Sequence, residues 1–534
     1  MNSPSAAIPA RSYQEVRAKL LNKEEIALLD VREEDPHAQA HPLFAANFPL
    51  SRVELDAYGK LPRRDVAIVT LDDGEGDAQL AASRLLTLGY TDVAVFEGGM
   101  RGWQAAGGEV FRDVNVPSKA FGELVEASNH TPSLSAEEVR ALIDEKADVV
   151  ILDARRFDEY QTMSIPTATS CPGAELVLGV AQLAPHPQTR VIVNCAGRTR
   201  SIIGTQSLIN AGVPNAVSAL RNGTIGWKLA GQVLDRGQLR RVGEVSATTT
   251  GAWSLKARKV ADRAGVARAS LGQVRSWQLQ RDRTTYCFDT RTPEEYAAGH
   301  VSGFRSMPGG QLVQETEMVV PVRGARIVLV DRDGVRANMT ASWLAQMAWD
   351  VWVLDEADAC AFSETGAWQP PLPAIPAHRE VSVAELAHWI ATPGQVVTID
   401  LAKHVQYVQG HVPGAYYVLR SQISASLASL PLAAHVVVTC PDGLLSRVAA
   451  AQAEQVLGRD VQVLAGGTNA WKAALQPMET GESHLASPPI DRYKRPYEGT
   501  DSGQQAMQAY LDWEVGLVEQ LRKDGTHHFW VLQA

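Results

Sequence analysis

The sequence predicts an α/β protein of four tandem domains, each a parallel sheet covered by helices on both faces, with a C-terminal helical tail. Three observations support this prediction. The chain repeats itself four times, each repeat alternates short β-branched strands with helical segments, and the last segment breaks the repeat. With 534 residues, the chain is long enough for several domains of roughly 100–200 residues each.

Each repeat begins with an amphipathic helix and then a strand that ends in an aspartate. The four strands end at Asp30, Asp153, Asp289 and Asp400. A serine precedes each helix and stands three residues before a Glu or Gln, which is the capping-box pattern of a helix N-terminus. These serines are Ser12, Ser135, Ser270 and Ser382.

A second strand in each repeat leads into a loop and another helix. These loops begin at Asp72, Cys195, Asp331 and Cys440, each between 40 and 42 residues after the aspartate of its repeat. An aromatic residue follows 31 or 32 residues later, at Trp103, Trp227, Phe362 and Trp471. Because ligands of parallel α/β sheets lie at the carboxyl ends of the strands, we expect functional residues at the four loop positions.

The repeats place the predicted domains at residues 8–118, 130–235, 266–375 and 378–477, with a linker at 236–265 and a tail at 478–534. We expect one helix in the linker. The tail begins as a loop and ends in one helical pattern from Gln504 to Arg522, which should pack on a neighbouring domain. The basic aromatic run from Arg492 to Tyr497 is either a binding patch or, as we favour, a clamp for the tail.

The composition limits the possible functions. A net charge of −10 argues against a general nucleic-acid binder and against docking on anionic membranes. No apolar run approaches the ~20 residues that span a bilayer, and no secretory signal is visible. The five widely spaced cysteines form neither a disulfide framework nor a zinc motif, so we expect no metal and a reducing cytoplasm.

Cys195 is the strongest candidate for a catalytic residue. It lies between a predicted strand and a predicted helix, and Gly197, Arg198, Arg200 and Ser201 follow it. A thiol at this position lies over backbone N–H groups, at a helix N-terminus and beside fixed positive charge, all of which favour the thiolate. The alternative is a buried cysteine that fills the core, but this role does not need the two arginines.

These motifs resemble those of the rhodanese family of sulfurtransferases, over about residues 11–475. The second repeat contains Asp153-Ala-Arg155, Glu159-Tyr160 and the loop from Cys195 to Ser201. The third repeat contains Asp289-Thr-Arg291 and Gly299-His300, and the fourth contains Gly410-His411-Val-Pro413-Gly-Ala415. The resemblance implies four rhodanese-like domains and, as in the four-domain members of the family, thiosulfate sulfurtransferase activity.

The loop length and charges predict the chemistry. Phosphatase-type relatives have a loop that is one residue longer between cysteine and arginine, so this loop favours sulfur over phosphate. We expect Arg198 and Arg200 to attract thiosulfate and the Cys195 thiolate to attack its outer sulfur, releasing sulfite and leaving a persulfide without any cofactor. The backbone N–H groups of residues 196–201 should hold the terminal sulfur before cyanide or a thiol removes it. The binding residues are therefore predicted to be Ala196, Gly197, Arg198, Thr199, Arg200 and Ser201.

The other three loops differ. Cys440 is a second candidate nucleophile, but its loop contains no arginine and Asp442 disfavours a thiolate. Arg447 lies just beyond this loop as a possible compensating charge. Asp72 and Asp331 cannot carry a persulfide, so their domains are expected to be inactive, although arginines at 332 and 336 leave anion binding open in the third domain.

The remaining polar motifs and cysteines have expected structural roles. Asp153, Arg155 and Glu159 are predicted to form an ion pair at the end of the first strand. The same pair cannot form at Asp400, where Ala402 replaces the arginine. The remaining cysteines are expected to be structural, with core positions for the last two: Cys171, Cys287 and Cys360.

Two alternatives remain open from the sequence. The protein is either an enzyme that turns over a small sulfur anion or a carrier and scaffold that relays a persulfide to a protein partner. The donor is thiosulfate or 3-mercaptopyruvate, and thiosulfate is favoured because paired arginines suit a doubly charged inorganic anion. The physiological acceptor and the oligomeric state are not predicted.

Overall fold

The computed structural model describes residues 7–243, 247–355 and 359–533. Over these residues the chain forms four α/β domains in tandem, followed by a helical tail, as predicted.

The first two domains have matching elements. The first contains β1 (Ala10–Arg11), β2 (Ile26–Asp30), β3 (Ala46–Asn47), β4 (Ile68–Leu71) and β5 (Val93–Phe96), with α1 (Tyr13–Leu21), α2 (Glu34–Gln39), α3 (Val53–Lys60), α4 (Asp77–Thr87) and α5 (Gly99–Ala105). Helix α6 (Val116–Asn129) follows. The second domain contains β6 (Ser133–Leu134), β7 (Val149–Asp153), β8 (Thr169–Ser170), β9 (Arg190–Asn194) and β10 (Val217–Leu220), with α7 (Ala136–Asp144), α8 (Phe157–Thr162), α9 (Leu176–Leu183), α10 (Thr199–Asn210) and α11 (Gly223–Leu229).

Helix α12 (Ala247–Arg263) leads into the second half of the chain. The third domain contains β11 (Ala267–Ala269), β12 (Thr285–Asp289), β13 (Arg305–Ser306), β14 (Val322–Arg323), β15 (Arg326–Val330) and β16 (Asp350–Leu354), with α13 (Leu271–Gln278), α14 (Pro293–Ala298), α15 (Gly309–Gln314), α16 (Thr316–Val319) and α17 (Arg336–Gln346). The fourth contains β17 (Glu380–Val381), β18 (Val396–Asp400), β19 (Tyr416–Tyr417), β20 (His435–Thr439) and β21 (Gln462–Leu464), with α18 (Val383–Ile390), α19 (His404–Gln409), α20 (Ile423–Leu427), α21 (Leu444–Leu457) and α22 (Gly467–Ala473). The tail contains α23 (Gln504–Val515) and α24 (Leu517–Asp524).

The four sheets share one strand order. In the second domain it is β6-β10-β9-β7-β8, and each of these pairs is parallel. The loop positions follow the central strands β4, β9, β15 and β20, where the sequence predicted them. The first sheet gains one strand that was not predicted, because β14 of the third domain pairs antiparallel with β2.

The four predicted capping boxes are all present. Each serine hydroxyl accepts a hydrogen bond from the backbone N–H three residues later, at 3.2–3.3 Å. A cap of this kind stabilises a helix end by about 1 kcal/mol. Local sequence therefore fixes where the first helix of each repeat begins.

Two helices join the domains. The linker helix α12 was predicted, and its Ala257 and Val260 join the core of the second domain. Helix α6 was not predicted. Its first ten residues are buried except for Leu124, and the helix packs against α10 and the tail helices. The first domain, the third domain and the tail share one core, which includes Leu29, Ile327 and Leu517.

Two local expectations were wrong. The single helix predicted in the tail is two helices, because the chain turns at Gly516 between α23 and α24. Cys360 is exposed, because β16 ends at Leu354 and the cysteine lies in a short turn beyond the sheet. Cys171 and Cys287 are buried, consistent with structural roles. Among the described helices, none has the length and apolar character needed to cross a membrane.

Candidate active site

Strand β9 places Cys195 directly above the first turn of α11. The N–H of Thr224 donates to the carbonyl of Cys195 at 2.9 Å, and the N–H of Ile225 donates to the carbonyl of Ala196 at 3.0 Å. Gly223 has φ +54°, and a Cβ there would lie 2.3 Å from the carbonyl oxygen of Cys195. The glycine-rich segment before Trp227 is therefore needed because this turn passes directly beneath the cysteine loop.

The same support occurs in the first and fourth domains. The N–H of Met100 donates to the carbonyl of Asp72 at 2.8 Å, and the N–H of Thr468 donates to the carbonyl of Cys440 at 2.9 Å. Each donor follows a glycine with positive φ, Gly99 or Gly467. The hydrogen bond that supports the loop is therefore present in the first domain too, where an aspartate takes the place of the cysteine.

The Cys195 thiol is enclosed. The residue is 2% exposed, and its Sγ donates to the Ser201 hydroxyl at 3.4 Å. Burial raises the pKa of the Cys195 thiol, and the nearby Glu514 carboxylate raises it further, while Arg200 and Ser201 only partly lower it. Arg200 favours the thiolate as predicted, but desolvation, which the sequence did not show, outweighs this positive charge in the enclosed site.

Arg200 forms a bidentate ion pair with Glu159. Its Nη1 and Nη2 lie 2.7 and 2.9 Å from the two carboxylate oxygens. Burial raises the pKa of Glu159, but Arg200 and Arg155 outweigh it and lower the pKa to about 2. Glu159 therefore braces the cysteine loop, whereas the sequence placed it with Asp153 at the end of the first strand.

Arg198 is held by the unpredicted helix α6. Its Nε and Nη2 donate to Glu123 at 2.7 and 2.8 Å, its Nη2 contacts Glu126, and its Nη1 donates to Asn222 at 3.2 Å. The side chain is 12% exposed. The two arginines that were expected to attract thiosulfate therefore both meet carboxylates within the protein.

The remaining residues of the predicted site line the same loop. Thr199 begins α10 and packs against Gly122 of α6, where an added Cβ would meet its methyl group at 2.9 Å. The Ser201 hydroxyl donates to the carbonyl of Arg198 at 2.8 Å. Ser201 therefore closes the loop by hydrogen bonding.

The predicted ion pair at the end of the first strand is confirmed for Asp153 and Arg155. Arg155 donates to both carboxylate oxygens at 2.8 and 2.7 Å and to the carbonyl of Met163 at 2.6 Å. In the fourth domain, Asp400 is buried without an arginine, and its Oδ2 has no hydrogen-bond partner among the described residues. Burial raises the pKa of Asp400 to about 7.

In the first and third domains, an aspartate side chain occupies the ring of backbone amides. Asp72 accepts hydrogen bonds from the N–H groups of Gly74, Gly76 and Ala78 at 2.8–3.0 Å. Asp331 accepts from Gly334 and Ala337 at 2.8 and 2.7 Å. These carboxylates take up donors that an anionic substrate would need.

The third domain has a further obstacle to anion binding. Arg336 donates to both oxygens of Glu295 at 2.6 and 2.7 Å and to Asp333 at 2.7 Å. The ring of Phe362 lies 4.4 Å from the guanidinium carbon of Arg332. Arg336 thus meets a second carboxylate, that of Asp333, in addition to a glutamate pair like the one between Arg200 and Glu159 in the second domain.

Cys440 has a different environment from Cys195. Its Sγ lies 3.5 Å from Asp442 Oδ1, and the N–H of Ser446 donates to Sγ at 3.4 Å. Burial raises the pKa of the Cys440 thiol, and Asp442 raises it further. Arg447 pairs with Glu380 at the surface and does not compensate. Cys440 borders a cleft of about 660 Å³ between the first, third and fourth domains.

The C-terminal tail covers the Cys195 loop. A Cβ on Gly197 would lie 3.2 Å from Tyr510 Cε1 and 3.2 Å from Glu514 Oε2. Beside this contact, Arg200 and Tyr497 border a pocket of about 400 Å³.

The basic run from Arg492 to Tyr497 acts within the fold. Arg495 contacts Glu498 of the tail and pairs with Glu34 of the first domain at 3.6 Å. The ring of Tyr497 packs on Tyr510 with centroids 5.3 Å apart. These contacts favour the predicted clamp over a binding patch.

Sequence reasoning missed three groups of residues at this site. Gly223 was visible only as part of a glycine-rich motif. The Glu123–Arg198 pair joins residues that are 75 positions apart, and no local pattern marks it. Tyr510 and Glu514 come from the tail, which carries no repeat signal.

The comparisons with known proteins agree with this architecture. The model of the rhodanese-like domain matches residues 12–106, 135–230, 274–357 and 382–474, so the chain belongs to the rhodanese family. The crystal structure of a thiosulfate sulfurtransferase from Pseudomonas aeruginosa is 62% identical, with a TM-score of 0.97, and the match covers 98% of this chain and 100% of that one. YibN of Escherichia coli K12, an uncharacterized protein, is 27% identical over 86 residues, which are 16% of this chain and 60% of YibN.

Proposed function

We propose that the chain is a thiosulfate sulfurtransferase that works through a persulfide on Cys195. The observation that carries this proposal is the difference between the four loops. The second loop places a thiol beside Arg200 where the first and third place a carboxylate among the backbone amides. The near-full-length similarity to the Pseudomonas aeruginosa enzyme supports the same activity.

In the first half-reaction, the negative charge of thiosulfate is balanced by Arg200 and by the backbone N–H groups of Ala196, Gly197, Thr199 and Ser201. The Cys195 thiolate attacks the outer sulfur. The S–S bond of thiosulfate breaks, its electron pair leaves with sulfite, and a persulfide remains on Cys195. Arg198 braces the loop to α6 through Glu123.

In the second half-reaction, cyanide or a small thiol attacks the terminal sulfur and Sγ leaves as a thiolate. The cycle is ping-pong and uses no metal or organic cofactor. The burial of Cys195 behind the tail argues against direct relay to a protein, because a protein acceptor needs an exposed persulfide. We favour thiosulfate over 3-mercaptopyruvate as the donor because thiosulfate carries two negative charges, which interact favourably with the Arg200 guanidinium. A reducing compartment such as the cytoplasm suits the five free thiols.

Thiocyanate formation from thiosulfate and cyanide tests the proposal. We expect activity in the unaltered protein, its loss in Cys195→Ala, and its retention in Cys440→Ala. A Cys195→Ala variant that keeps the activity would refute the proposal, and so would an inactive unaltered protein. Loss of activity in Cys440→Ala alone would move the site to the fourth domain.

A further inference from the structure

The cleft beside Cys440 is separate from the Cys195 loop. It has a volume of about 660 Å³, lies between the first, third and fourth domains, and none of residues 195–201 borders it. Cys440 borders it from the fourth domain, Lys60 from the first and Arg305 from the third. Cavities of about 300–1,000 Å³ between domains commonly bind organic molecules. Thiosulfate is far smaller, so the size of this cleft indicates an organic ligand.

The end of the cleft at Cys440 disfavours an inorganic sulfur anion. The Cys440 thiol donates a hydrogen bond to Asp442 Oδ1 at 3.5 Å, and the N–H of Leu444 donates to the same oxygen at 3.0 Å. The loop contains no arginine, and Arg447 is paired with Glu380. The Asp442 carboxylate repels a donor such as thiosulfate, whose negative charge is close to its sulfur. The reactive sulfur of a ligand here should therefore lie away from the ligand's negative charge.

Positive charge is concentrated in another part of the cleft. Lys60 and Arg52 both pair with the carboxylate of Asp56, at 3.2 and 3.5 Å. Arg305 and Lys403 also border the cleft, and both interact electrostatically with Asp56. These four cationic side chains share one carboxylate, which leaves positive charge that attracts an anionic group of a ligand.

Arg305 is the cation best placed to bind such a group. Its guanidinium carbon lies 4.5 Å from the ring centroid of Trp368, and its buried Nε has no hydrogen-bond partner among the described residues. Arg305 also forms no ion pair with any residue that the structure describes. Trp368 in turn packs on Gly59, where an added Cβ would meet its ring at 3.7 Å. Because a partly buried arginine normally meets an anion, this unpaired guanidinium indicates a ligand with a carboxylate.

The cleft also contains carboxylates that contact polar groups of the protein. The contacts are Glu33 with the Ser51 hydroxyl at 3.2 Å, Glu34 with Arg495 at 3.6 Å, and Asp491 with the N–H of His404 at 2.8 Å. Positive and negative side chains therefore both border the cleft. A ligand that carries both an ammonium and a carboxylate group, as amino acids and peptides do, matches this lining.

We propose that this cleft is a second sulfur-transfer site, in which Cys440 receives sulfur from the persulfide of an amino-acid or short-peptide thiol. Arg305 binds the carboxylate of this donor, and the persulfide group lies at the Cys440 thiol, away from that charge. This activity is additional to the thiosulfate activity proposed for Cys195 and does not depend on it.

The transfer exchanges one thiol for another. Asp442 accepts the proton of the Cys440 thiol through the hydrogen bond between them, and Sγ attacks the outer sulfur of the donor R–S–SH. The S–S bond of the donor breaks, its electron pair leaves on the inner sulfur, and Asp442 passes the proton to this leaving group. Cys440–S–SH and R–SH are formed, so the step needs no oxidant or reductant. The N–H of Ser446, 3.4 Å from Sγ, stabilises negative charge on the attacking sulfur.

Sulfur mapping in the Cys195→Ala variant tests the proposal, because sulfur then cannot pass from Cys195. The protein is treated with glutathione persulfide, the thiols are alkylated, and the cysteine peptides are analysed by mass spectrometry over time. We expect one added sulfur atom on the Cys440 peptide, at a rate that saturates with donor concentration, and none with thiosulfate. Cys360 is exposed and serves as the internal control, since non-specific exchange there should rise in proportion to the donor.

Arg305→Gln removes the unpaired cation and should lower the efficiency of sulfur transfer to Cys440 by about tenfold. Lys403→Gln changes an exposed cation of the cleft, so a smaller decrease of about threefold is expected without a loss of folding. Arg379→Gln, an exposed change in the fourth domain outside the cleft, is the matched control and should have no effect. With the uncharged persulfide of β-mercaptoethanol, all three variants should react at the rate of the parent protein.

Absence of sulfur on Cys440 would overturn the proposal, and so would transfer that does not saturate and is unchanged in Arg305→Gln and Lys403→Gln. An equal decrease with the charged and the uncharged persulfide would overturn the role of Arg305, since it would show a structural effect only. If Arg305→Gln does not fold, Lys403→Gln provides the same comparison. Failure of the thiosulfate activity at Cys195 is separate, because that activity is measured with thiosulfate and cyanide in the unaltered protein.

Discussion

The ionisation of the Cys195 thiol depends on the balance between its burial and the charges beside it. The thiol is enclosed, so desolvation opposes its ionisation, and Arg200 is the largest of the influences that favour the thiolate. Glu159 holds Arg200 in place through two hydrogen bonds at 2.7 and 2.9 Å. The arginine therefore acts on the sulfur through its position as well as its charge.

Arg200→Gln should raise the pKa of the Cys195 thiol, because it removes the positive charge that lowers this pKa. One unit of pKa means about tenfold less thiolate, so alkylation by iodoacetamide at pH 7.5 should slow by about tenfold. The measurement is the alkylation rate of Cys195 as a function of pH. The double variant Arg200→Gln with Glu159→Gln avoids an unpaired carboxylate and should show the same upward shift. An unchanged profile in both variants would contradict the assigned role.

Helix α11 supports the loop that begins at Cys195. The first turn of α11 donates two hydrogen bonds to the carbonyls of Cys195 and Ala196, and Gly223 allows this approach. Gly223→Ala combines a left-handed backbone with a collision at 2.3 Å, so we expect a loss of stability of about 1–3 kcal/mol and reduced sulfur transfer. Gly212→Ala is the matched control, since Gly212 has φ +68° but no atom within 4 Å of the added Cβ. Thermal unfolding and activity of the two variants measure the effect, and equal losses would show that the collision does not matter.

The buried carboxyl of Asp400, at the end of β18, should make the free energy of unfolding depend on pH. The folded-state pKa of Asp400 rises from 3.8 to about 7, so the folded chain binds this proton more tightly than the unfolded chain. Protonated Asp400 therefore contributes to the stability of the folded chain at low pH. This contribution is lost as the pH rises through about 7, where the carboxyl of the folded chain ionises. Asp400→Asn should therefore stabilise the chain at pH 8, by about 1–3 kcal/mol, and have little effect at pH 4.

Calorimetry at the two pH values measures this change. Asp153→Asn is the matched contrast, because Asp153 pairs with Arg155 and its loss should destabilise the second domain at both pH values. Destabilisation of the fourth domain by Asp400→Asn at pH 8 would contradict the interpretation of Asp400 as a buried carboxyl that lacks the arginine partner of the other domains.

The sequence predicted the parts of the site that lie within one repeat. The four capped helices, the loop positions after the central strands and the Asp153–Arg155 pair all depend on residues that are near in the chain or repeated in it. The carboxylates that pair with Arg198 and the tail residues that pack on Gly197 could not be predicted. They belong to α6 and α23, which lie outside the repeats. The effect of burial on the pKa of the Cys195 thiol could not be predicted for the same reason. The elements that enclose the thiol are distant from it in the chain.

At the scale of the whole molecule, segments outside the second domain contact the Cys195 loop. Helix α6, between the first and second domains, supplies Glu123 to the loop and Lys119 to the tail. The tail in turn packs Tyr510 and Glu514 on Gly197. Segments outside the second domain therefore enclose the Cys195 thiol, and strand β14 joins the sheets of the first and third domains.

Lys119→Gln should loosen the tail, because the substitution removes the cation that three aromatic rings surround. A desolvated cation–π contact contributes about 2 kcal/mol, so labelling of Cys195 by a bulky maleimide should become about tenfold faster or more. The labelling rate of Cys195, determined by peptide mass spectrometry, measures this opening. Lys494→Gln, an exposed change in the same tail, should leave the rate unchanged. Equal labelling rates in both variants would show that the cage does not hold the tail over the loop.

If Cys195 carries the transferred sulfur, that sulfur can be located on its peptide. The protein is treated with thiosulfate without an acceptor, the thiols are trapped by alkylation, and the cysteine peptides are mapped by mass spectrometry. We expect one added sulfur atom on the Cys195 peptide, which disappears after cyanide is added. Added sulfur on the Cys440 peptide with none on the Cys195 peptide would contradict it.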